Sequence, residues 1–362
     1  KMKLNSQPLL GIIASVLVVS ASLGISVALS PDAVLTWVSL ILVAMVPMQM
    51  VIGLAWHSQQ PAFIAALPQP IRGLAFIALM SLVGGIIAFI GNSTVGGGML
   101  PPTPFVNMFM IFAVPITISL IIVFQCWPFS LIFKGKPVVM GFALVISAYS
   151  LAWLVYQWLF NFSFLEHAPF YQAALDPKGL FLAWLPLAAG LSCVVGVLCL
   201  VLLDFWPVQL IVNVLPAMAK QPGFGLLSAV FVAVIAKGLW WFFDVPQGMD
   251  VVAFLVQVNV AMVFGVFIVL VMFEGARFIA LPQPFRGLVL IAVAAGLAYA
   301  LHSLYCMVAI QQFGLPSGAP TYALELWLAT SMLAITFPLM VAFASFFDFW
   351  PLRANVASQG KN

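Results

Sequence analysis

Residues 66–78 read ALPQPIRGLAFIA and residues 280–292 read ALPQPFRGLVLIA, so ten of thirteen positions are identical at an offset of 214 residues. Each stretch opens a long apolar run and carries a Gln-Pro-x-x-Gly signature at its start. Proline suits the first turn of a helix because its missing N–H would be unpaired there, and glycine one turn later permits close approach of a neighbouring backbone. The signature therefore predicts the start of a closely packed helix.

The same signature recurs elsewhere in the chain. Further copies begin at Gln7, at Gln221 and, in degenerate form, at Lys136. The alternate apolar runs end in a matching mark, which reads QCWP at 125–128 and DFWP at 204–207 and 348–351. We infer a unit of two antiparallel helices, a hairpin, that is repeated five times.

The composition predicts that most side chains lie in a membrane. Hydrophobic residues make up 65% of the 362 residues and charged residues only 6%, whereas soluble domains carry roughly 25% charge. So little charge cannot cover a water-exposed globule of this size. Apolar runs of about 20 residues, the length that crosses a hydrocarbon core, recur along the chain. The ten predicted spans are 9–29, 33–55, 72–92, 104–126, 137–160, 180–203, 223–243, 251–273, 286–308 and 323–347.

The predicted fold class is therefore all-α, a polytopic membrane bundle of about ten transmembrane helices built from five hairpins. The 214-residue offset relates helices 1–4 to helices 7–10, and the halves would share one orientation because each has an even number of spans. The predicted domains are a four-helix repeat at 1–135, a central hairpin at 136–220 and a second four-helix repeat at 221–362. The connections are too short for a soluble domain.

Charged residues in the short loops predict the orientation. Ten of the twelve basic residues fall on the side that carries the N-terminus, called side A here, whereas the opposite side B has Lys178. Loops of this length follow the positive-inside rule, which places both termini in the cytoplasm. Ten of the eleven tryptophans lie near predicted helix ends, where indole rings meet lipid headgroups. The predicted location is a cell membrane, in bacteria the inner membrane, with membrane lipids as neighbours.

Motifs for catalysis, cofactors and metals are absent from the sequence. It contains no G-x-S-x-G, no H-E-x-x-H and no phosphate loop. His302 and Cys306 have the i, i+4 spacing of two metal ligands, but no third ligand is near in sequence, which favours a packed histidine. The basic residues are scattered singly, unlike a nucleic-acid surface. We expect no enzymatic activity, no cofactor, no metal site and no nucleic-acid partner.

Polar residues within the spans mark the candidate solute site, because polar groups are costly at membrane depth. Prolines interrupt the even-numbered spans at 47, 115, 186 and 338, and such kinks either line a cavity, act as hinges or serve plain packing. We predict a site between the two halves, lined by helices 4, 8 and 10. The predicted solute-lining residues are Asn107, Gln257, Asn259, Glu325, Thr330 and Lys237.

Lys237 has two interpretations. It lies about 21 Å along the seventh span at about 1.5 Å per residue, close enough to side B for its amine to extend toward Asp244. This structural role is favoured over a solute or proton role.

Charged residues also gather at the cytoplasmic rim. Asp204, Glu274 and Asp348 stand at helix C-termini, and Arg72 and Arg286 stand at helix N-termini, each at the end where the helix dipole disfavours its charge. We predict that these acids and arginines pair with one another in a charge network at side A. The alternative is that the arginines bind lipid phosphates.

Two functions remain open on the sequence alone. The first is a permease for a small neutral or apolar solute, which the duplication, the kinked helices and the scarcity of buried charge favour. The second is a non-catalytic anchoring or scaffold subunit that binds other membrane subunits or further copies of this chain. A permease should gather Gln257, Asn259 and Glu325 around one cavity, whereas an anchoring subunit would scatter them.

Overall fold

The structure is a computed structural model that describes residues 6–353, apart from the side chains of residues 244–247. Within these residues ten apolar helices are long enough to cross a membrane, which confirms the ten predicted spans and a multi-pass membrane protein. The helices are α1 Leu9–Ala28, α2 Pro31–Ala55, α3 Ile71–Thr94, α4 Pro104–Val123, α5 Pro137–Leu159, α6 Trp184–Leu202, α7 Gly223–Gln247, α8 Val251–Met272, α9 Phe285–Phe313 and α10 Ala323–Phe346.

Smaller elements connect the spans. Short helices lie at side A, at Ala62–Ala65, Phe129–Ile132 and Trp206–Val214. The connection from α5 to α6 contains two short parallel strands, β1 Phe160–Asn161 and β2 Phe181–Leu182. The all-α prediction is confirmed for the bundle, and this strand pair is an addition to it.

The five even-numbered helices form a closed inner ring. Helix α2 packs against α4, α4 against α6, α6 against α8, α8 against α10, and α10 against α2. Each odd-numbered helix packs on the outer face of one inner helix. Helix α3 packs on α2, α5 on α4, α7 on α6, α9 on α8 and α1 on α10. These packed pairs differ from the predicted hairpins, because each outer helix packs mainly on an inner helix other than the one that follows it in sequence. The five pairs surround one axis, and the repetition of the hairpin stays a prediction. The predicted boundaries at 135 and 220 stay a prediction, because no feature of the ring tests them.

Burial separates the two layers. In the inner helices 61–78% of the apolar span is buried within the protein, against 11–39% in the outer helices. Large apolar side chains such as Phe89, Trp158 and Val234 project outward from the outer layer. Lipid solvates such side chains at no cost, so the outer helices carry the lipid-facing surface and the inner helices carry the core.

The Gln-Pro-x-x-Gly signature joins four of the five outer helices to the ring at side A. The Gln7 amide nitrogen donates to the Met272 carbonyl at the end of α8, at 3.0 Å, while its amide oxygen accepts the Gly11 N–H at 3.2 Å. One side chain therefore satisfies a donor that the first turn of a helix leaves unpaired and a carbonyl that the last turn of another leaves unpaired. The equivalent pairs are Gln69–Phe346, Gln221–Val123 and Gln283–Leu202, at 2.7–3.1 Å.

The signature glycines give room to a bulky side chain of an inner helix, which in the four glutamine copies is the helix whose carbonyl the glutamine binds. A Cβ on Gly11 would lie 2.6 Å from the ring of Phe273, the residue after the carbonyl that Gln7 binds. In the degenerate copy, Trp56 occupies this space and its indole N–H donates to the Pro137 carbonyl at 2.7 Å. The other pairs are Gly73–Phe347, Gly225–Phe124 and Gly287–Leu203. Glycine is required because any side chain would overlap these groups.

The marks that end the inner helices adopt a left-handed backbone. After α4, Gln125 and Cys126 both have positive φ, and the Cys126 N–H reaches back to the Leu120 carbonyl at 2.8 Å. Asp204 and Phe205 after α6, and Asp348 and Phe349 after α10, share this conformation. Such a turn satisfies carbonyls of the last helical turn and ends the helix.

Candidate functional site

A cavity of about 730 Å³ lies inside the ring, and all five inner helices contribute to its wall. Side-B segments that contain Pro101, Leu165 and Thr321 line its mouth. Volumes of roughly 300–1,000 Å³ are typical of small-molecule sites. The lining residues recur every three or four positions: Ser39, Val43, Val46 and Met50 on α2; Asn107, Ile111 and Val114 on α4; Leu187, Leu191 and Val194 on α6; Val256, Val260, Val263 and Phe267 on α8; and Leu326, Thr330, Leu333 and Phe337 on α10.

Three polar residues of this wall occupy equivalent positions on their helices. Ser39, Asn107 and Thr330 each precede the midspan proline of their helix by eight residues, and their helices α2, α4 and α10 are neighbours in the ring. We call these three residues the polar arc. The amide nitrogen of Asn107 donates to the Leu35 carbonyl of α2 at 3.1 Å, whereas its amide oxygen has no partner among the described residues.

The remaining wall at and below the arc is apolar. On α6 and α8 the lining includes Leu187 and Val256. Toward side A the lining is made of aliphatic and aromatic side chains and methionine. Asp32, at the side-B mouth, is the one charged residue that lines the cavity within the described part of the chain. A cavity of this composition favours uncharged molecules, because desolvating an unpaired charge is costly.

An aromatic pair lies at the side-A end of the cavity lining. Phe267 of α8 and Phe337 of α10 are the deepest lining residues of their helices, and their rings stack with centroids 4.2 Å apart. We call these two residues the floor pair. Next to it, the buried amide of Gln49 on α2 donates to the Pro338 carbonyl of α10 at 2.8 Å. This bond fixes α2 to α10 beside the floor pair.

The predicted solute-lining residues divide into two groups. Asn107 and Thr330 lie in the cavity wall. The other four lie elsewhere. Gln257 is exposed away from the lining, and Lys237 is exposed on the outer helix α7. Asn259 is fully buried, and neither of its amide atoms has a partner among the described residues. Glu325 is buried in a contact with a loop. The side chain of Asp244, the expected neighbour of Lys237, lies outside the described residues. Ser39 was not among the predicted residues, although its distance from Pro47 matches those of Asn107 and Thr330 from their prolines.

Acidic residues at side B organise loops near the mouth. Glu325 accepts hydrogen bonds from the Ser317 hydroxyl and the Gly318 N–H, at 2.5 and 3.1 Å. The Tyr322 hydroxyl donates to Asp250 at 3.1 Å, and burial together with this bond raises the pKa of Tyr322. These contacts join the loop before α10 to the start of α8.

The predicted charge network at side A exists in a changed form. Arg286 pairs with Asp204 at 3.5 Å. Glu274 and Asp348 both pair with Arg353, at 2.6 and 2.7 Å, and Arg353 was not among the predicted members. Arg72 forms no ion pair with any carboxylate that the structure describes, and its buried Nε atom has no partner there.

Replacing Arg353 with glutamine should lower stability by about 0.5–1 kcal/mol at neutral pH, a value limited by solvent screening because a third or more of each partner is exposed. Burial raises the pKa of Glu274, but hydrogen bonds from Arg353 and Gln7 outweigh it and hold the pKa below its ordinary value. The ion pair therefore contributes its full stabilisation above the ordinary pKa of a glutamate. This contribution is lost as the pH falls through the pKa of Glu274 in the folded protein. Thermal melts of wild type and variant should converge in acid. Lys134→Gln, on an exposed lysine, is the control, and a constant difference at all pH values would contradict the pairing.

His302 and Cys306 lie side by side on α9, with the sulfur 3.8 Å from Nδ1. Among the described residues, no group of three or more His, Cys, Asp or Glu side chains could hold a metal ion. The two residues therefore form a local contact within one outer helix.

Comparison with protein-family models, with curated proteins and with solved structures gave no match.

Proposed function

We propose that this protein is a permease for a small uncharged solute that enters the central cavity from side B. The cavity supports this proposal: it has a volume suited to a small molecule, and its wall contains the three neutral polar residues of the arc and is apolar from there toward side A. Side A is then the cytoplasmic side of a cell membrane, in bacteria the inner membrane, and solute passes the floor pair to reach it.

The positions of the predicted polar residues agree in part with the second candidate function, an anchoring or scaffold subunit. Gln257, Asn259 and Glu325 occupy three separate environments, which is the scatter expected of an anchoring subunit that binds other membrane proteins or its own copies. A subunit with only an anchoring role has no need of an axial cavity, because a filled core is more stable than an empty one. The cavity therefore favours a permease over an anchoring subunit.

Flux through liposomes containing the purified protein tests the proposal. Radiolabelled uncharged solutes of graded polarity, such as diols, short amides and alcohols, are followed with empty liposomes as background. Val263→Trp should reduce protein-dependent flux to background, because the indole would project from the cavity wall into its lumen. Val234→Trp, on the exposed face of α7, is the matched control and should keep wild-type flux.

Two results would contradict the proposal. One is a wild-type flux equal to that of empty liposomes for every solute tested. The other is an equal effect of Val263→Trp and Val234→Trp, since only the first alters the cavity. A stoichiometric protein partner retained in native mass spectrometry, without any flux, would favour the anchoring subunit.

A further inference from the structure

The cavity is asymmetric around its axis and along its depth. The polar arc occupies the sector formed by α10, α2 and α4, whereas α6 and α8 contribute apolar residues such as Leu187 and Val256 to the wall. Below the arc, α2 continues for eleven residues from Ser39 to Met50, about 16 Å at about 1.5 Å per residue. The lining over this depth is apolar. A bound molecule would therefore meet polar groups at one end only.

The hydrogen-bonding capacity of the arc defines the polar end of such a molecule. The Asn107 amide nitrogen is occupied by the backbone of α2, which leaves only its oxygen as an acceptor. Ser39 and Thr330 line the cavity, and their hydroxyls can donate or accept. Asn107 is 7% exposed and Ser39 is 5% exposed, so unpaired groups here are shielded from bulk water. A ligand group that donates a hydrogen bond relieves this deficit best.

Charge on the ligand is disfavoured at this depth. Within the described part of the chain, Asp32 is the one charged lining residue, and it lies at the mouth near the start of α2. No basic side chain in the described lining could neutralise a carboxylate or phosphate beside the arc. Hydroxyls and an amide oxygen satisfy a neutral donor without the cost of burying an ion.

We propose that the cavity binds a single-chain uncharged amphiphile, with a hydroxyl or primary amide head at Ser39, Asn107 and Thr330 and an apolar tail directed toward Phe267 and Phe337. This inference rests on the proposed function and specifies its substrate class: an alcohol-like or amide-like molecule with an aliphatic body. The head group faces side B and the tail end faces side A.

Photolabelling tests the orientation directly. Two decanol probes carry a diazirine, one at the tail end and one beside the hydroxyl, and the full chain is held in lipid nanodiscs to avoid competing detergent. The tail-end probe should label Met50, Val263 or Phe337, and the head-end probe should label residues close to Ser39 and Asn107. Unlabelled decanol should suppress both patterns. A reversed pattern, or the same pattern from both probes, would overturn the proposed orientation.

Affinity measurements test the role of the polar arc. Native mass spectrometry compares decanol, decanamide, decane and decanoate on wild type and on the double variant Asn107→Leu with Thr330→Val. Decanol affinity should fall about tenfold or more in the double variant, because each hydrogen bond contributes a factor of roughly three to ten, while decane affinity stays unchanged. Ser192→Ala is the control, since this buried serine bonds within α6 away from the lining.

The outcomes separate this inference from the permease proposal. Equal binding of decane and decanol, or tighter binding of decanoate, would overturn the amphiphile assignment and leave flux of other neutral solutes intact. Absence of binding by every probe together with absence of flux would overturn both proposals. Loss of decanol affinity in the double variant with retained decane binding would support both.

Discussion

Replacing Gly73 with leucine is expected to destabilise the bundle by about 3 kcal/mol, because overpacking of a close contact costs roughly 1–3 kcal/mol and the adjoining Gln69 bond is lost with it. Any Cβ at this position overlaps the ring of Phe347. The displaced helix would also lose the Gln69 bond to the Phe346 carbonyl. A lower thermal midpoint in detergent, with loss of monodisperse protein, is the measurement.

Gly85→Leu in the same helix is the matched control. No atom of the described residues lies within 4 Å of a Cβ at Gly85, so a leucine there should contact only lipid and leave the thermal midpoint near wild type. Combining Gly73→Leu with Phe347→Ala should recover part of the lost stability, because alanine at 347 leaves space for the leucine at 73. Equal effects of the two glycine variants, or no recovery in the double variant, would refute the contact as the source of destabilisation.

Much of the secondary structure could be predicted from the sequence, because the length of an apolar run is fixed by the membrane thickness. The signature predicted where helices start and that they pack closely at glycine. Its glutamine had no assigned role, since the carbonyl it binds lies on a helix distant in sequence, as in Gln7 and Met272. Pairings of this kind depend on the order of helices around the ring, which no local pattern reveals.

The candidate site was predicted less completely. Asn107 and Thr330 were selected as polar residues within spans, and both line the cavity. Gln257 was selected by the same rule, but it is next to the lining residue Val256 and therefore points about 100° away around α8. The sequence defines the relative positions of side chains on a helix. Which face turns toward the axis depends on how the outer helices pack behind it.

The site was predicted to be lined by helices 4, 8 and 10, but all five inner helices line the cavity. A site between two halves would use a few helices at one interface. Because the five inner helices form a ring around one axis, α2 and α6 line the cavity as well, and Ser39 of α2 completes the polar arc. The midspan prolines Pro47, Pro115 and Pro338 share one distance from the arc, which is a signal that becomes meaningful only once the ring is known.

Replacing Phe267 and Phe337 with alanine is expected to raise solute flux about tenfold or more, since a barrier lower by 1.4 kcal/mol gives a factor of about ten. The floor pair stacks at 4.2 Å and provides the deepest lining on α8 and α10. A narrow apolar constriction excludes water and solute, so removing both rings should widen the passage toward side A. Stopped-flow or radiotracer flux in liposomes measures the change, compared with wild type at equal protein content.

A control must separate widening from general loosening of the core, because deleting buried phenylalanine rings costs stability as well, by roughly 3–5 kcal/mol each at fully buried sites. Phe264 of α8 is fully buried and packs against Tyr305 of α9 without lining the cavity. Phe264→Ala should therefore lower thermal stability and leave flux near wild type. Phe337→Leu, which keeps an apolar side chain at the floor, should give an intermediate flux. If Phe264→Ala raises flux as much as the floor variants do, leakage through a loosened bundle explains the increase and the floor pair does not close the pathway.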